Sequence, residues 1–116
     1  MTNKELKYLE DMRLAIEDIT SFIGDNKKFD VFNRNKMMRN AVERSFQIIG
    51  EAIKNFKTLN QDVEIQHAKE IIGLRNKIVH AYDSINYEHL WAIIANHLPN
   101  LRREIEKLIK DNESKT

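Results

Sequence analysis

Apolar residues recur every three or four positions along most of the chain, the spacing that places them on one face of an α-helix. This spacing predicts helices over residues 3–23, 36–59 and 63–81, and a fourth that begins near Tyr87. Pro99 either kinks the fourth helix or lies in the first turn of a fifth. The sequence therefore predicts an all-α protein, an antiparallel bundle of four to five helices.

Several residues mark the predicted helix ends. Thr2 and Glu5 have the spacing of a capping box, and Gly24 is a suitable residue to end the first helix. Asp62 and Asn86 are the predicted N-caps of the third and fourth helices. Short polar side chains at these positions can accept the backbone N–H groups that a helix leaves unpaired.

Three segments depart from the helical pattern. Residues 26–35 are predicted to be a connection whose apolar side chains turn inward, and residues 111–116 a frayed polar tail. Gly50 interrupts the second helix at a cost of ~1 kcal/mol relative to Ala, which indicates close packing at that point. The apolar residues of the connection are Phe29, Val31 and Phe32.

Length and composition restrict the class of protein. A chain of 116 residues suits a single domain, here residues 1–116. The chain has no cysteine, which excludes disulfides, zinc–cysteine clusters and a thiol nucleophile, and favours a reducing, cytoplasmic setting. No apolar run approaches the ~20 residues of a membrane span, so a soluble protein is expected.

The charge is small overall but unevenly distributed. The net charge is +1, yet residues 25–58 carry eight basic and four acidic side chains. Arg39 and Arg44 in this segment are candidate contacts for RNA phosphates. They could equally belong to a solvated helix face or pair with Glu43 or Glu51.

Adjacent isoleucines occur in the second and third predicted helices, at positions 48–49 and 71–72. Neighbouring residues point about 100° apart around a helix, so these helices can be covered on two sides. One side would face the bundle core and the other a second copy of the chain. A homodimer is therefore a candidate assembly.

Polar residues that can carry chemistry are concentrated in one stretch. The chain lacks a glycine-rich phosphate loop, a serine nucleophile motif and a paired-histidine zinc motif, so neither a cofactor nor a metal is expected. Arg75, Asn76, His80 and Tyr82 lie within eight residues near the end of the third predicted helix. By spacing alone, Arg75 and His80 could simply stabilise the carboxyl end of that helix.

This stretch, Arg75-x4-His80-x-Tyr82, resembles the RX4HXY signature of HepT-type toxins, which belong to the HEPN group of helical ribonucleases. Residues 39–44 and 48–52 resemble the second helix of that family. Residues 75–83, 90–94 and 98–99 resemble its carboxyl-terminal half. The similarity extends over about residues 35–100 in the order of the family.

The resemblance implies a metal-independent ribonuclease. In such a reaction His80 would take the proton of the ribose 2′-OH or give one to the leaving oxygen, since imidazole ionises near neutral pH. Arg75 would stabilise the negative charge that develops on phosphorus oxygens. Asn76 could orient the phosphate or the imidazole.

Helix geometry separates the two principal residues. Five positions place Arg75 and His80 roughly 140° apart around an ideal helix. Either the helix loosens near His80, or a two-fold axis brings together residues from two copies. The resemblance implies the second arrangement, a homodimer with a composite cleft.

The resemblance also implies a partner and a modification. In HepT systems a minimal nucleotidyltransferase (MNT) antitoxin transfers adenylate from ATP to the motif tyrosine, here Tyr82, and this AMPylation would block the RNA path. The expected substrate is cellular RNA, either tRNA or mRNA. The alternative is a non-catalytic partner or substrate-binding subunit of such a nucleotidyltransferase.

Overall fold

The structure is a computed structural model that describes residues 1–25 and 27–114. Within these residues the chain forms six α-helices, one 3₁₀ turn and no strand. The helices are α1 (Asn3–Ile23), α2 (Phe29–Arg34), α3 (Lys36–Leu59), α4 (Ala68–His80), α5 (Tyr87–Asn96) and α6 (Leu98–Ser114). The all-α prediction is confirmed, although there are more helices than the four to five predicted. None of the helices in the described ranges has the length and apolar character needed to cross a lipid bilayer.

The core lies between α1 and α3, which form the most extensive helix pair. α4 packs on α3, α6 packs on α1, and α5 packs on α6. Burying a large apolar side chain contributes about 1.5–3 kcal/mol, so the apolar stripes provide most of the stabilisation. The largest fully buried side chains are Leu9, Met12, Ile16, Ile19, Phe32, Phe46, Ile49, Ile53, Phe56, Ile71, Leu90 and Ile93.

Two predicted N-caps and one helix stop are confirmed. The Thr2 hydroxyl accepts the backbone N–H of Glu5 at 3.1 Å, and the Asn86 side chain accepts that of His89 at 3.0 Å. Gly24 ends α1 with a φ of 65°, in the left-handed region where a side chain is disfavoured. These local signals account for the accuracy of the predicted ends of α1 and the start of α5.

The segment predicted as a connection contains the helix α2, with residue 26 lying outside the described residues. Phe32 is fully buried, and its ring lies 5.2 Å from that of Trp91 and 6.4 Å from that of Tyr87. Phe29 and Val31 are half-buried, so the inward orientation of these residues is confirmed in part. A six-residue helix is too short to be stable alone, so this aromatic packing stabilises it.

The predicted start of the third helix is wrong. α4 begins at Ala68, and Asp62 is not its N-cap. The Asn60 side chain accepts the backbone N–H groups of Asp62 and Val63, each at 3.2 Å, and holds this segment in a non-helical turn. Ile65 is nevertheless buried, so the apolar pattern continues through residues that are not helical.

α6 differs from its prediction only at its end. Pro99 is its second residue, where the missing N–H group removes no helical hydrogen bond. This agrees with the second of the two alternatives for Pro99. The helix continues to Ser114, beyond the start of the predicted frayed tail, and residues 115–116 lie outside the described residues.

Candidate active site

A close contact between α3 and α4 positions the candidate site. A Cβ atom added to Gly50 would lie 2.5 Å from Cβ of Arg75 and 2.7 Å from its Cγ. Real Cβ atoms essentially never come this close to another carbon. The two helices can approach this closely at Gly50 because it has no side chain, and the close packing inferred from the sequence is confirmed.

Arg75 is held by polar contacts on both sides of its guanidinium. Nη2 lies 2.8 Å from Oε2 of Glu51, and Nη1 donates to Oδ1 of Asn76 at 3.0 Å. The side chain is 19% exposed, and its Nε is buried without a hydrogen-bond partner. The guanidinium is therefore partly exposed, and a carboxylate and an amide oxygen hold its orientation.

His80 is the last residue of α4, and its side chain is exposed. The helix remains α-helical up to this residue, one position short of the predicted end, and the N–H of Ala81 bonds to the carbonyl of Lys77 at 2.9 Å. The helix does not loosen between Arg75 and His80, but it ends at His80 and is followed by a 3₁₀ turn. Arg75 and His80 lie on different sides of a regular helix, about 140° apart.

Tyr82 follows in the 3₁₀ turn Tyr82–Ser84 and is 51% exposed. Its hydroxyl accepts a long hydrogen bond, 3.4 Å, from the hydroxyl of Tyr87. If α4 continued as an α-helix, Tyr82 would lie on almost the same face as Arg75. The 3₁₀ turn gives Tyr82 a different direction. Tyr82 therefore lies at the surface of the protein.

Tyr87, Glu43 and Arg39 form a polar cluster behind Tyr82. Burial raises the pKa of Tyr87, and its hydrogen bonds with Tyr82 and Glu43 act in the same direction. Glu43 is 5% exposed, and the guanidinium carbon of Arg39 lies 5.1 Å from the centre of the Tyr87 ring. Arg39 also donates to the carbonyl of Asn33. Tyr87 therefore keeps its proton and donates it in the hydrogen bond to the Tyr82 hydroxyl.

The sequence indicated Glu43 and Glu51 only as possible partners of Arg39 and Arg44, and missed their contacts with Tyr87 and Arg75. Tyr87 was missed as a member of the site. The position of Glu43, one turn after Arg39 and among the buried residues of α3, was a signal that it has a partner. No sequence signal links Glu51 to Arg75, since the pair comes from two helices and depends on their packing.

A groove of about 340 Å³ lies beside Arg75, between α1 and α3. Arg44, Ile48 and Glu51 line it from α3. Arg44 is exposed there, whereas Arg39 packs on Tyr87. The structure thus brings Arg44 near Arg75 and places Arg39 against Tyr87.

A family model described as "Ribonuclease HepT-like" matches residues 12–108, which include every residue of the site. The chain belongs to the HepT-like ribonuclease family. Among its relatives, a Methanocaldococcus jannaschii protein named "Putative RNase" is 39% identical over 97% of this chain and 94% of its own length.

A second relative, from Thermococcus cleftensis, is named "Probable ribonuclease HepT". It is 35% identical over 95% of this chain and 100% of its own length. No solved structure gave a significant match. The family assignment agrees with the resemblance carried by the Arg75, His80 and Tyr82 motif.

The contact at Gly50 gives a test of the site's packing. Gly50→Ala should lower the free energy of unfolding by about 1–3 kcal/mol, because the new methyl group forces α4 away from α3. Gly73→Ala is the matched control, since nothing lies within 4 Å of its added Cβ. That variant should gain up to ~1 kcal/mol from helix propensity. Urea unfolding of both variants measures the difference, and equal stability of the two would contradict the close contact.

Proposed function

We propose that this HepT-like ribonuclease is the toxin of a HepT/MntA-type toxin–antitoxin system and cleaves cellular RNA without a metal ion. The complete Arg75-x4-His80-x-Tyr82 motif, in a chain of this family, carries the proposal. The exposed position of His80 and the fixed guanidinium of Arg75 support it. The substrate would be tRNA or mRNA.

His80 and Arg75 would divide the chemistry between them. The His80 imidazole would remove the proton from a ribose 2′-OH, whose oxygen attacks the adjacent phosphorus, or protonate the leaving 5′-oxygen. The Arg75 guanidinium would stabilise the charge that accumulates on the non-bridging oxygens. Asn76 would orient Arg75, which already donates to its side chain. Such a reaction requires no electron transfer and no Lewis acid.

The active unit would be a homodimer. A regular α4 keeps Arg75 and His80 of one chain apart, so a second copy is needed to bring one of each together. Ile48 beside Arg75 and Val79 one turn beyond it are 37% and 41% exposed. Apolar side chains around a polar pair are typical of an interface that closes over a site.

RNA would approach this cleft along the exposed basic residues of α3. Arg44 supports this path because it is exposed in the groove that also contains Arg75. Arg39 is a weaker phosphate contact, since its guanidinium already packs on Tyr87 and bonds to a backbone carbonyl.

Tyr82 would be the site of inactivation by an MNT-type nucleotidyltransferase antitoxin. Its exposure gives the partner access to the hydroxyl oxygen, which would attack the α-phosphorus of ATP and release pyrophosphate. The transferred adenylate, on the second residue after His80, would add negative charge at the end of α4 and exclude RNA.

One observation favours a second function. The ion pair with Glu51 balances the charge of the Arg75 guanidinium, and Nη1 donates to Asn76, as expected for a residue with a structural role. Under this alternative the chain is a non-catalytic partner or substrate-binding subunit of a minimal nucleotidyltransferase.

Cleavage of total bacterial RNA in EDTA distinguishes the two functions. Wild type should cleave, and His80→Ala should lose at least about 10²-fold in rate, because proton transfer typically contributes 10²–10⁴-fold. Lys69→Ala, exposed on the first turn of the same helix, is the control and should cleave normally. Absence of cleavage by wild type whose intact mass shows no modification would favour the non-catalytic function.

Mixing of inactive variants tests the composite cleft. Arg75→Ala and His80→Ala should each be inactive, but their random mixture should recover about a quarter of wild-type activity. Half of the dimers are then mixed, and each mixed dimer has one intact site of two. No recovery would contradict the shared site. Light scattering at micromolar concentration tests the dimer separately, and a monomer would overturn it.

Modification of Tyr82 is tested by intact-mass spectrometry. Incubation with a purified nucleotidyltransferase partner and ATP should add adenylate to wild type and abolish RNA cleavage. Tyr82→Phe should stay unmodified, whereas Tyr87→Phe, the neighbouring phenol, should still be modified. Equal modification of wild type and Tyr82→Phe would place the acceptor elsewhere.

A further inference from the structure

Three of the four histidines meet at the end of α4 that lies opposite His80. His67 precedes α4, and His97 lies between α5 and α6. Their imidazole rings stack with centres 3.8 Å apart and an interplanar angle of 23°. The third, His89, lies on α5 and approaches the same place through Glu70.

Glu70 joins the three histidines. One carboxylate oxygen lies 3.6 Å from Nδ1 of His67, and the other lies 3.4 Å from Nε2 of His89. His67, Glu70 and His97 each offer one ligand atom, and these atoms all lie within 4.8 Å of one another. The cluster thus brings two imidazoles and one carboxylate within reach of one another.

The size of the cluster suits a tetrahedral transition-metal ion. Zinc binds imidazole nitrogen and carboxylate oxygen at about 2.0–2.2 Å, which places the ligand atoms about 3.3 Å apart. To bind one ion, the rings of His67 and His97 would turn out of their stack so that one nitrogen of each points at the metal, and the ligand atoms would move about 1 Å closer together. The side chains of His67 and Glu70 are 40% and 42% exposed, so an ion can enter from solvent.

The surroundings of the cluster add negative charge. Glu104 of α6 accepts the backbone N–H of Gln66 at 3.3 Å, through one oxygen. Its other oxygen is buried without a hydrogen-bond partner. Two carboxylates therefore lie near His67, and a divalent cation would compensate their charge.

The backbone of His67 leaves its side chain available for this role. His67 has a φ of 60°, the left-handed conformation, and is the only residue other than glycine with a positive φ in the described part of the chain. It is the N-cap residue of α4, yet its side chain makes no capping hydrogen bond. The imidazole instead stacks on His97 and approaches Glu70.

We propose that His67, Glu70 and His97 bind a divalent transition-metal ion of the Zn²⁺ type, with water as the fourth ligand. His89 holds the outer oxygen of Glu70, as a positioning residue of the site. Mixed nitrogen and oxygen ligands favour zinc, cobalt or nickel over magnesium and calcium, which prefer oxygen alone.

The ion would stabilise the helix that carries the candidate catalytic residues without contacting them. Eight positions separate His67 from Arg75, about 12 Å along the helix axis. The ion would link the start of α4 to the junction of α5 and α6. Along the chain, α4 is connected to α5 only by residues 81–86. Cleavage of RNA in EDTA is compatible with this site, because the ion takes no part in the reaction.

Calorimetric titration with ZnCl₂ tests the proposal, with untagged protein dialysed against EDTA and then against buffer without chelator. Wild type should bind one Zn²⁺ per chain, and saturation should raise the thermal unfolding midpoint, because an ion that binds only the folded state stabilises it. MgCl₂ at the same concentration should produce neither effect.

Four variants identify the ligands. His97→Ala and Glu70→Gln should weaken zinc binding by at least about tenfold. His67→Asn should do the same while keeping a residue that tolerates the left-handed conformation. His80→Ala, which removes the one histidine outside the cluster, should bind zinc as wild type does.

Two outcomes would overturn the proposal. One is absence of zinc binding at micromolar concentration in folded wild type, which would reduce the cluster to stacked and hydrogen-bonded side chains. The other is equal zinc affinity in wild type, His97→Ala and His67→Asn. Circular dichroism of each variant establishes that it is folded, and Glu70→Gln, an exposed substitution of equal size, serves where a histidine variant does not fold.

Discussion

The contact between Gly50 and Arg75 is the constraint on which the candidate site depends. α3 and α4 pack so closely there that the first two side-chain carbons of Arg75 occupy the space of a missing methyl group. With its stem fixed in this way, the guanidinium can reach Glu51 and Asn76 with little loss of conformational entropy. A wider helix separation would leave Arg75 a flexible surface side chain.

The parts of the fold that the sequence predicted well are those determined by local interactions. α1 and α3 have regular apolar stripes, and the N-cap side chain of each accepts the backbone N–H group three residues later. Because these signals are local, the bounds of both helices were predicted correctly. α2 and the start of α4 depend on contacts distant in the chain. Packing of Phe32 on Trp91 stabilises α2, and the side chain of Asn60 delays α4. The spacing of apolar residues within a short stretch of sequence reveals neither contact.

The candidate site also combines residues that are close in the sequence with residues that only the packing of the helices brings together. The motif residues Arg75, Asn76, His80 and Tyr82 lie close together in the chain, so the sequence could single them out through their resemblance to a family signature. Their partners come from other helices, and packing alone brings them near. The histidines are the clearest case, because 30 residues separate the stacked rings of His67 and His97, and no ligand spacing connects them.

The ion pair between Arg75 and Glu51 has a consequence for how a polyanion would be recognised. A guanidinium beside a carboxylate presents almost no net charge at a distance, so Arg75 contributes little long-range attraction. Early attraction would fall instead to cations such as Arg44, and an arriving phosphate would have to displace the carboxylate from Arg75. Binding at Arg75 would therefore be a substitution of one anion for another. Its selectivity depends on which anion matches the geometry of the guanidinium better.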